Sequence, residues 1–175
     1  ARVTAPGTGI MLNNEMDDFT AKIGAPNLYG LVQGAANKIE PGKRPLSSMT
    51  PTIVTREGKP WLIVGTMGGS RIITAVMLTM LNVMDFGMDV QEAVDAPRIH
   101  QQWQPETTSV ERFAVSPDTR GALLSMGHTF TEAGPERHPT AILIGAPALN
   151  AKPVARNRFY GAHDPRQRTG LALRY

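Results

Sequence analysis

One junction constrains this chain more than any other feature. Two short runs rich in β-branched residues, Thr52-Ile53-Val54-Thr55 and Trp61-Leu62-Ile63-Val64, flank a Glu57-Gly58 turn and read as a hairpin. The second run passes through Gly65-Thr66-Met67-Gly68-Gly69-Ser70 directly into a helical repeat of Ile72, Ile73, Val76, Met77, Met80, Leu81 and Met84. Leu78 and Val83 put apolar groups on the opposite side, so this helix is expected to be covered on more than one face. A hairpin that feeds a helix buries one face of its sheet against that helix. This favours a layered α+β domain over a bundle or a sandwich.

The remaining punctuation fits that class. A shorter helix is predicted from Asp89, where Glu92 stands at capping-box distance, and it should end before Pro97. A third has Ser116 as N-cap, Pro117 in its first turn and Gly127 past its end. Strands are expected around residues 109–115, 129–132 and 141–144. Residues 1–50 carry little periodicity but many Gly, Pro and Asn, and read as a long functional loop region. No internal repeat interrupts the chain, which reads as one continuous unit, residues 1–175.

Composition decides what such a domain can use. At 175 residues, a globular fold buries roughly 70% of the surface its unfolded chain exposes. With 41% hydrophobic and 19% charged residues, wholesale disorder is excluded. There is no cysteine, which removes disulfides, thiol nucleophiles and thiolate metal sites together. His100, His128, His138 and His163 lack the spacing of a zinc helix, and His100 reads as structural. No apolar run reaches the ~18 residues of a membrane span. The net charge of +3 is concentrated at the C-terminus. There Lys152, Arg156, Arg158, Arg166, Arg168 and Arg174 face only Asp164. That segment reads as a surface paired with acidic neighbours rather than a nucleic-acid site. The first residues, Ala1-Arg2-Val3-Thr4, show neither an initiating Met nor a signal pattern, so the chain is expected to be processed or incomplete.

Three clusters could carry chemistry. Asn13-Asn14-Glu15-Met16-Asp17-Asp18 packs carboxylates so closely that a cation between them would relieve repulsion. A substrate ammonium or Ca²⁺ would serve, but the spacing of a calcium loop is absent, and an Asx-rich turn is the plain alternative. Lys43-Arg44-Pro45-Leu46-Ser47-Ser48 offers two hydroxyl donors to a carboxylate or phosphate, or forms a turn. Gly68-Gly69-Ser70 suits an oxyanion hole or a tight strand-to-helix turn, and matches neither phosphate-loop nor dinucleotide pattern. Together they suit an amino acid whose side chain is an acyl group.

These residues resemble the small subunit of the γ-glutamyltranspeptidase family. The resemblance rests on Gly9-Ile10-Met11-Leu12-Asn13-Asn14-Glu15-Met16-Asp17-Asp18-Phe19, Lys43-Arg44-Pro45-Leu46-Ser47-Ser48-Met49, Gly68-Gly69-Ser70-Arg71-Ile72 and Asp164-Pro165-Arg166, in order across the chain. It implies an N-terminal nucleophile hydrolase fold, a four-layer αββα sandwich of which this chain supplies part. It further implies a precursor that cuts itself into a heterodimer, and a bacterial location in the periplasm or outside the cell. The nucleophile would be the new N-terminal Thr, with its own α-amine as base, and no cofactor is implied. By motif, Glu15 and Asp18 would hold the substrate ammonium, Ser47 and Ser48 its α-carboxylate, and the Gly68 and Gly69 amides the oxyanion. Tyr29 would match a lid tyrosine.

Two departures stand out. Met67 replaces a common Pro before the glycine pair. The catalytic Thr segment belongs upstream of Ala1, since Thr4 and Thr8 are internal, and the family's carboxylate-binding Arg lies on the large subunit. The expected partners are that large subunit, a γ-glutamyl substrate such as glutathione, and an amino-acid or peptide acceptor. The alternatives are a glutaryl or cephalosporin acylase, a poly-γ-glutamate transpeptidase of the same fold, or a non-catalytic homologue.

Overall fold

The hairpin forms as read. Strands β1 (Thr52–Arg56) and β2 (Lys59–Gly65) pair antiparallel, with Arg56 opposite Lys59 across the turn. Glu57 and Gly58 both hold positive φ, 52° and 73°. That is the turn geometry whose twist matches the flanking strands. In this computed structural model the described residues are 3–134, 138–152, 157–167 and 170–172, so Arg156, Arg168 and Arg174 lie outside them.

The chain divides into two compact units, Ala1–Ser47 and Ser48–Tyr175. The larger unit holds all the named strands and α-helices. After β2 come α1 (Arg71–Met84), α2 (Val90–Asp95), β3 (Ile99–His100) and β4 (Thr108–Glu111). Then follow α3 (Pro117–Ser125), β5 (Phe130–Ala133), β6 (Thr140–Ile144) and β7 (Phe159–His163). One sheet has the order β1-β2-β6-β7, all antiparallel. The other has the order β3-β4-β5. There β4 and β5 run parallel, and α3 supplies the crossover that a parallel pair requires. The fold is α+β.

The core lies between the four-stranded sheet and the first two helices. Alternation puts Leu62 and Val64 of β2, Ala141 and Leu143 of β6 and Ala162 of β7 on one buried face. Ile72, Val76 and Val83 of α1 and Val90, Ala93 and Val94 of α2 pack into the same cluster. Burying one such aliphatic side chain contributes about 1.5–3 kcal/mol. The sheet's other face leaves Ile53 and Phe159 exposed, and α1 likewise leaves Ile73, Met77, Leu81 and Met84 exposed. Within this chain, then, α1 is covered on one side, not on several. The capping box of α2 is complete, since Asp89 Oδ1 accepts from the Gln91 and Glu92 amides and Glu92 Oε2 accepts from the Asp89 amide.

Three expectations shift. The strand read over 109–115 stops at Glu111, because Ala114 N–H turns back to the Glu111 carbonyl and Phe113 takes φ 69°. The strand read over 129–132 spans Phe130–Ala133. Strands β3 and β7 were not expected. One is two residues long, and the other is defined by its pairing with β6 rather than by its own alternation. Ser116 caps α3 by position only, its hydroxyl donating to Thr119 Oγ1 at 2.8 Å.

The described residues of the smaller unit form no sheet strand, as the loop-rich composition predicts. Its regular pieces are two 3-10 turns, Glu15–Asp18 and Ala35–Asn37. Isolated bridges join Thr4 to Met11, Thr20 to Lys38 and Pro26 to Val32. Among its described residues, Phe19 and Thr20 are buried.

Candidate active site

The acidic cluster begins as an Asx turn, with Asn13 Oδ1 accepting from the Glu15 amide at 3.1 Å. Asp17 N–H then donates to the Asn14 carbonyl and closes the first 3-10 turn. In a 3-10 turn the side chains at i and i+3 eclipse, so Glu15 and Asp18 stand side by side. Asp18 is the more sheltered of the two. Burial, then the charge of Glu15, a hydrogen bond with Glu15 and the charge of Asp17 hold the Asp18 carboxyl above its ordinary pKa. Two carboxylates placed this way favour a cation between them. Among the described residues, no group of three or more His, Cys, Asp or Glu side chains could hold a metal ion.

The same unit carries the backbone just before the first of the two serines. Leu46 N–H donates to Asn37 Oδ1 at 3.0 Å, while Asn37 Nδ2 donates to the Asp18 carbonyl at 2.6 Å. One side chain thus bonds both the acidic turn and the residue preceding Ser47. Tyr29 sits at the tip of a tight loop in which Asn27 Oδ1 accepts from the Tyr29 and Leu31 amides, each at 3.0 Å.

The larger unit holds Ser48 and the glycine pair. Gly68 and Gly69 take φ 136° and 59°, angles that L side chains rarely adopt. Their carbonyls accept from the Arg71 and Ile72 amides and start α1. Among the described residues, no hydrogen bond runs from the Gly68 or Gly69 amide. Both amides lie just ahead of α1, a position from which backbone N–H groups can meet an anion. Met67, next to them, is 60% exposed.

A polar chain that the motifs did not reveal backs this turn. Ser70 Oγ donates to Gln102 Oε1 at 2.6 Å, and His100 Nε2 lies 2.9 Å from the same oxygen. His100 Nδ1 lies 2.7 Å from Thr74 Oγ1 on α1. Because Gln102 Nε2 donates to the Gln104 carbonyl, Oε1 must be the acceptor, and His100 must carry its proton on Nε2. Both ring nitrogens of His100 are thus engaged by neighbouring side chains. Gln102 and Asn37 were missed because both act through contacts distant in the chain.

The C-terminal motif is buried ionic structure. Asp164, fully buried, accepts from Arg98 at 2.8 Å and from Arg166 at 2.6 and 2.7 Å, and Arg166 also reaches Glu111 at 3.0 Å. Arg158 lies 5.6 Å over the Tyr160 ring. These two basic residues of the tail are thus engaged within the chain.

The crystal structure of a mutant of Helicobacter pylori gamma-glutamyltranspeptidase superposes with TM-score 0.84 at 45% identity, over 94% of this chain and 86% of that one. The scaffold is therefore that of an N-terminal nucleophile hydrolase. A profile of the gamma-glutamyltranspeptidase family matches residues 1–173, and the chain belongs to that family. The glutathione hydrolase proenzyme of Pseudomonas sp. (strain A14) is 64% identical over the whole chain, and that of Escherichia coli (strain K12) 45% identical over 99% of it. The chain spans 30% and 28% of the length of those two relatives. Among the described residues no helix is long and apolar enough to cross a membrane.

Proposed function

We propose that the protein carrying this chain is a γ-glutamyl transferase and hydrolase that cleaves the γ-glutamyl bond of glutathione and related compounds. Residues 1–175 are then its small-subunit domain, assembled with a large subunit from the same precursor and exported from the cell. The nucleophile is an N-terminal Thr outside this chain. Its oxygen attacks the γ-carbonyl while its α-amine takes the proton. The tetrahedral oxyanion then collapses, the amine leaves with that proton, and water or an amino-acid or peptide acceptor resolves the γ-glutamyl-enzyme.

In this reading the chain supplies recognition and charge stabilisation. Asp18, with Glu15 beside it, takes the α-ammonium, Ser47 and Ser48 take the α-carboxylate, and the Gly68 and Gly69 amides take the oxyanion. Tyr29 closes over the bound substrate. The observation that carries the reading is the side-by-side pair Glu15 and Asp18 on one 3-10 turn. A glutaryl group has no ammonium to meet that pair, so an acylase would gain nothing from it.

The test is the initial rate of cleavage of paired anilides, γ-glutamyl against glutaryl, by the matured enzyme. A strong γ-glutamyl preference is expected. Equal or reversed rates would hand the site to acylase chemistry.

A further inference from the structure

We propose that Asn37 is a positioning residue that sets the spacing between the two ends of the α-amino-acid site. The inference rests on the assignment of the ammonium to Asp18 and the carboxylate to the Ser47 end. An α-amino acid carries its ammonium and carboxylate on one carbon, so both recognising groups must be held at a fixed separation to engage together. The chain that joins Asp18 to Ser47 is loop apart from the short 3-10 turn Ala35–Asn37 and two isolated bridges, which leave the Ser47 end without a strand or helix to fix that separation.

The Asn37 side chain removes the freedom. Its Nδ2 donates to the Asp18 carbonyl at 2.6 Å and also to Gln33 Oε1. Its Oδ1 accepts from the Leu46 amide at 3.0 Å. A carbonyl can only accept and an amide N–H can only donate, so the carboxamide has one orientation here and all its polar atoms are used. Gln33 Nε2 adds a second bond to the Asp18 carbonyl at 3.2 Å. The Asn37 main chain grips the same segment, its carbonyl accepting from Thr20 N–H at 2.9 Å. One half-buried side chain therefore ties the backbone that carries the Asp18 carboxylate to the amide preceding Ser47.

Asn37 touches no substrate in this account, so its removal acts on fit rather than on chemistry. In Asn37→Ala, kcat/KM for a γ-glutamyl anilide is expected to fall roughly tenfold, mainly through KM. Glutaryl anilide, which presents the carboxylate alone, is expected to lose about threefold or less. The preference ratio is the deciding readout, because a smaller fraction of folded enzyme lowers both rates together and leaves the ratio alone.

Asn37→Asp keeps the size and the acceptor for Leu46 but loses the bond to the Asp18 carbonyl. It is expected to lower the ratio as well, and it serves if the Ala variant does not mature. Asp18→Ala, run in parallel, separates the two readings. If it collapses the ratio while both Asn37 variants preserve it, the positioning role is overturned and the site stands. If Asp18→Ala leaves the ratio intact, the site assignment fails and this inference falls with it. Failure of both Asn37 variants to mature would make Asn37 a folding residue instead.

Discussion

Asp18 carries the largest single expectation. Hydrogen bonds to charged groups contribute about 1.5–3 kcal/mol each, so Asp18→Ala in the matured enzyme should cut kcat/KM for a γ-glutamyl substrate at least roughly tenfold. Steady-state initial rates check this, and unchanged kinetics would remove Asp18 from the site. Its ionisation gives a second handle. The carboxyl is raised by burial and by Glu15, and only the ionised form pairs with an ammonium. Activity should therefore fall as pH drops through that raised value, and kcat/KM reports the free enzyme. Glu15→Gln removes the charge of Glu15 but leaves the burial. Its acid limb should move to lower pH without reaching the position of an unperturbed carboxylate. An unmoved limb in a pH–rate profile would mean that another group titrates.

At the scale of elements, the strand-to-helix turn is the part whose backbone is least replaceable. Gly68 holds φ 136°, where a Cβ introduces strain of order 1–3 kcal/mol. In the proposed assignment, any displacement of its amide acts on charge that develops only in the transition state. Gly68→Ala should therefore lower kcat by roughly a hundredfold with a much smaller change in KM. A rise in KM at constant kcat would contradict the oxyanion assignment. The supporting chain from Ser70 through Gln102 to His100 belongs to the same element boundary. It was illegible in the sequence, because β3 is two residues long and its side chains meet α1 only through the fold.

Besides its aliphatic core, the larger unit holds a buried charge network of Arg98, Glu111, Asp164 and Arg166. Burial alone would raise the Asp164 carboxyl, but hydrogen bonds from Arg166 and Arg98 outweigh it and hold the carboxyl below its ordinary pKa. A folded-state value below the unfolded one means stability that is present above the unfolded value, near 3.9, and lost as pH falls through the folded one. Thermal unfolding should therefore show a stability loss setting in below about pH 4. Asp164→Asn removes the charge that Arg98 and Arg166 share, and breaking such a buried pair costs about 3–5 kcal/mol. The variant should unfold at lower temperature at neutral pH and show a flatter acid dependence. Equal melting temperatures for the two proteins would show that the network contributes no net stability.

What the sequence by itself determined is what local physics enforces. The hairpin, α1, the capping box at Asp89 and the Asx turn at Asn13 follow from alternation, helical spacing and short-range hydrogen bonding among neighbours. The residues of the acidic, hydroxyl and glycine clusters were legible for the same reason, since each lies in one contiguous run. Only the tertiary structure decided which side of α1 is buried. Ile72 and Val76 join the buried core while Ile73 and Met77 do not, although all four satisfy the same spacing, and Val83, read as lying on the opposite side, joins that core too. It also decided the pairing of β7 with β6, the burial of Asp164 between two arginines and the bridging role of Asn37. Each of these rests on at least one partner far away in the chain, as Arg98 is from Asp164. Their contact energy exists only once the backbone has closed, and no local pattern encodes it.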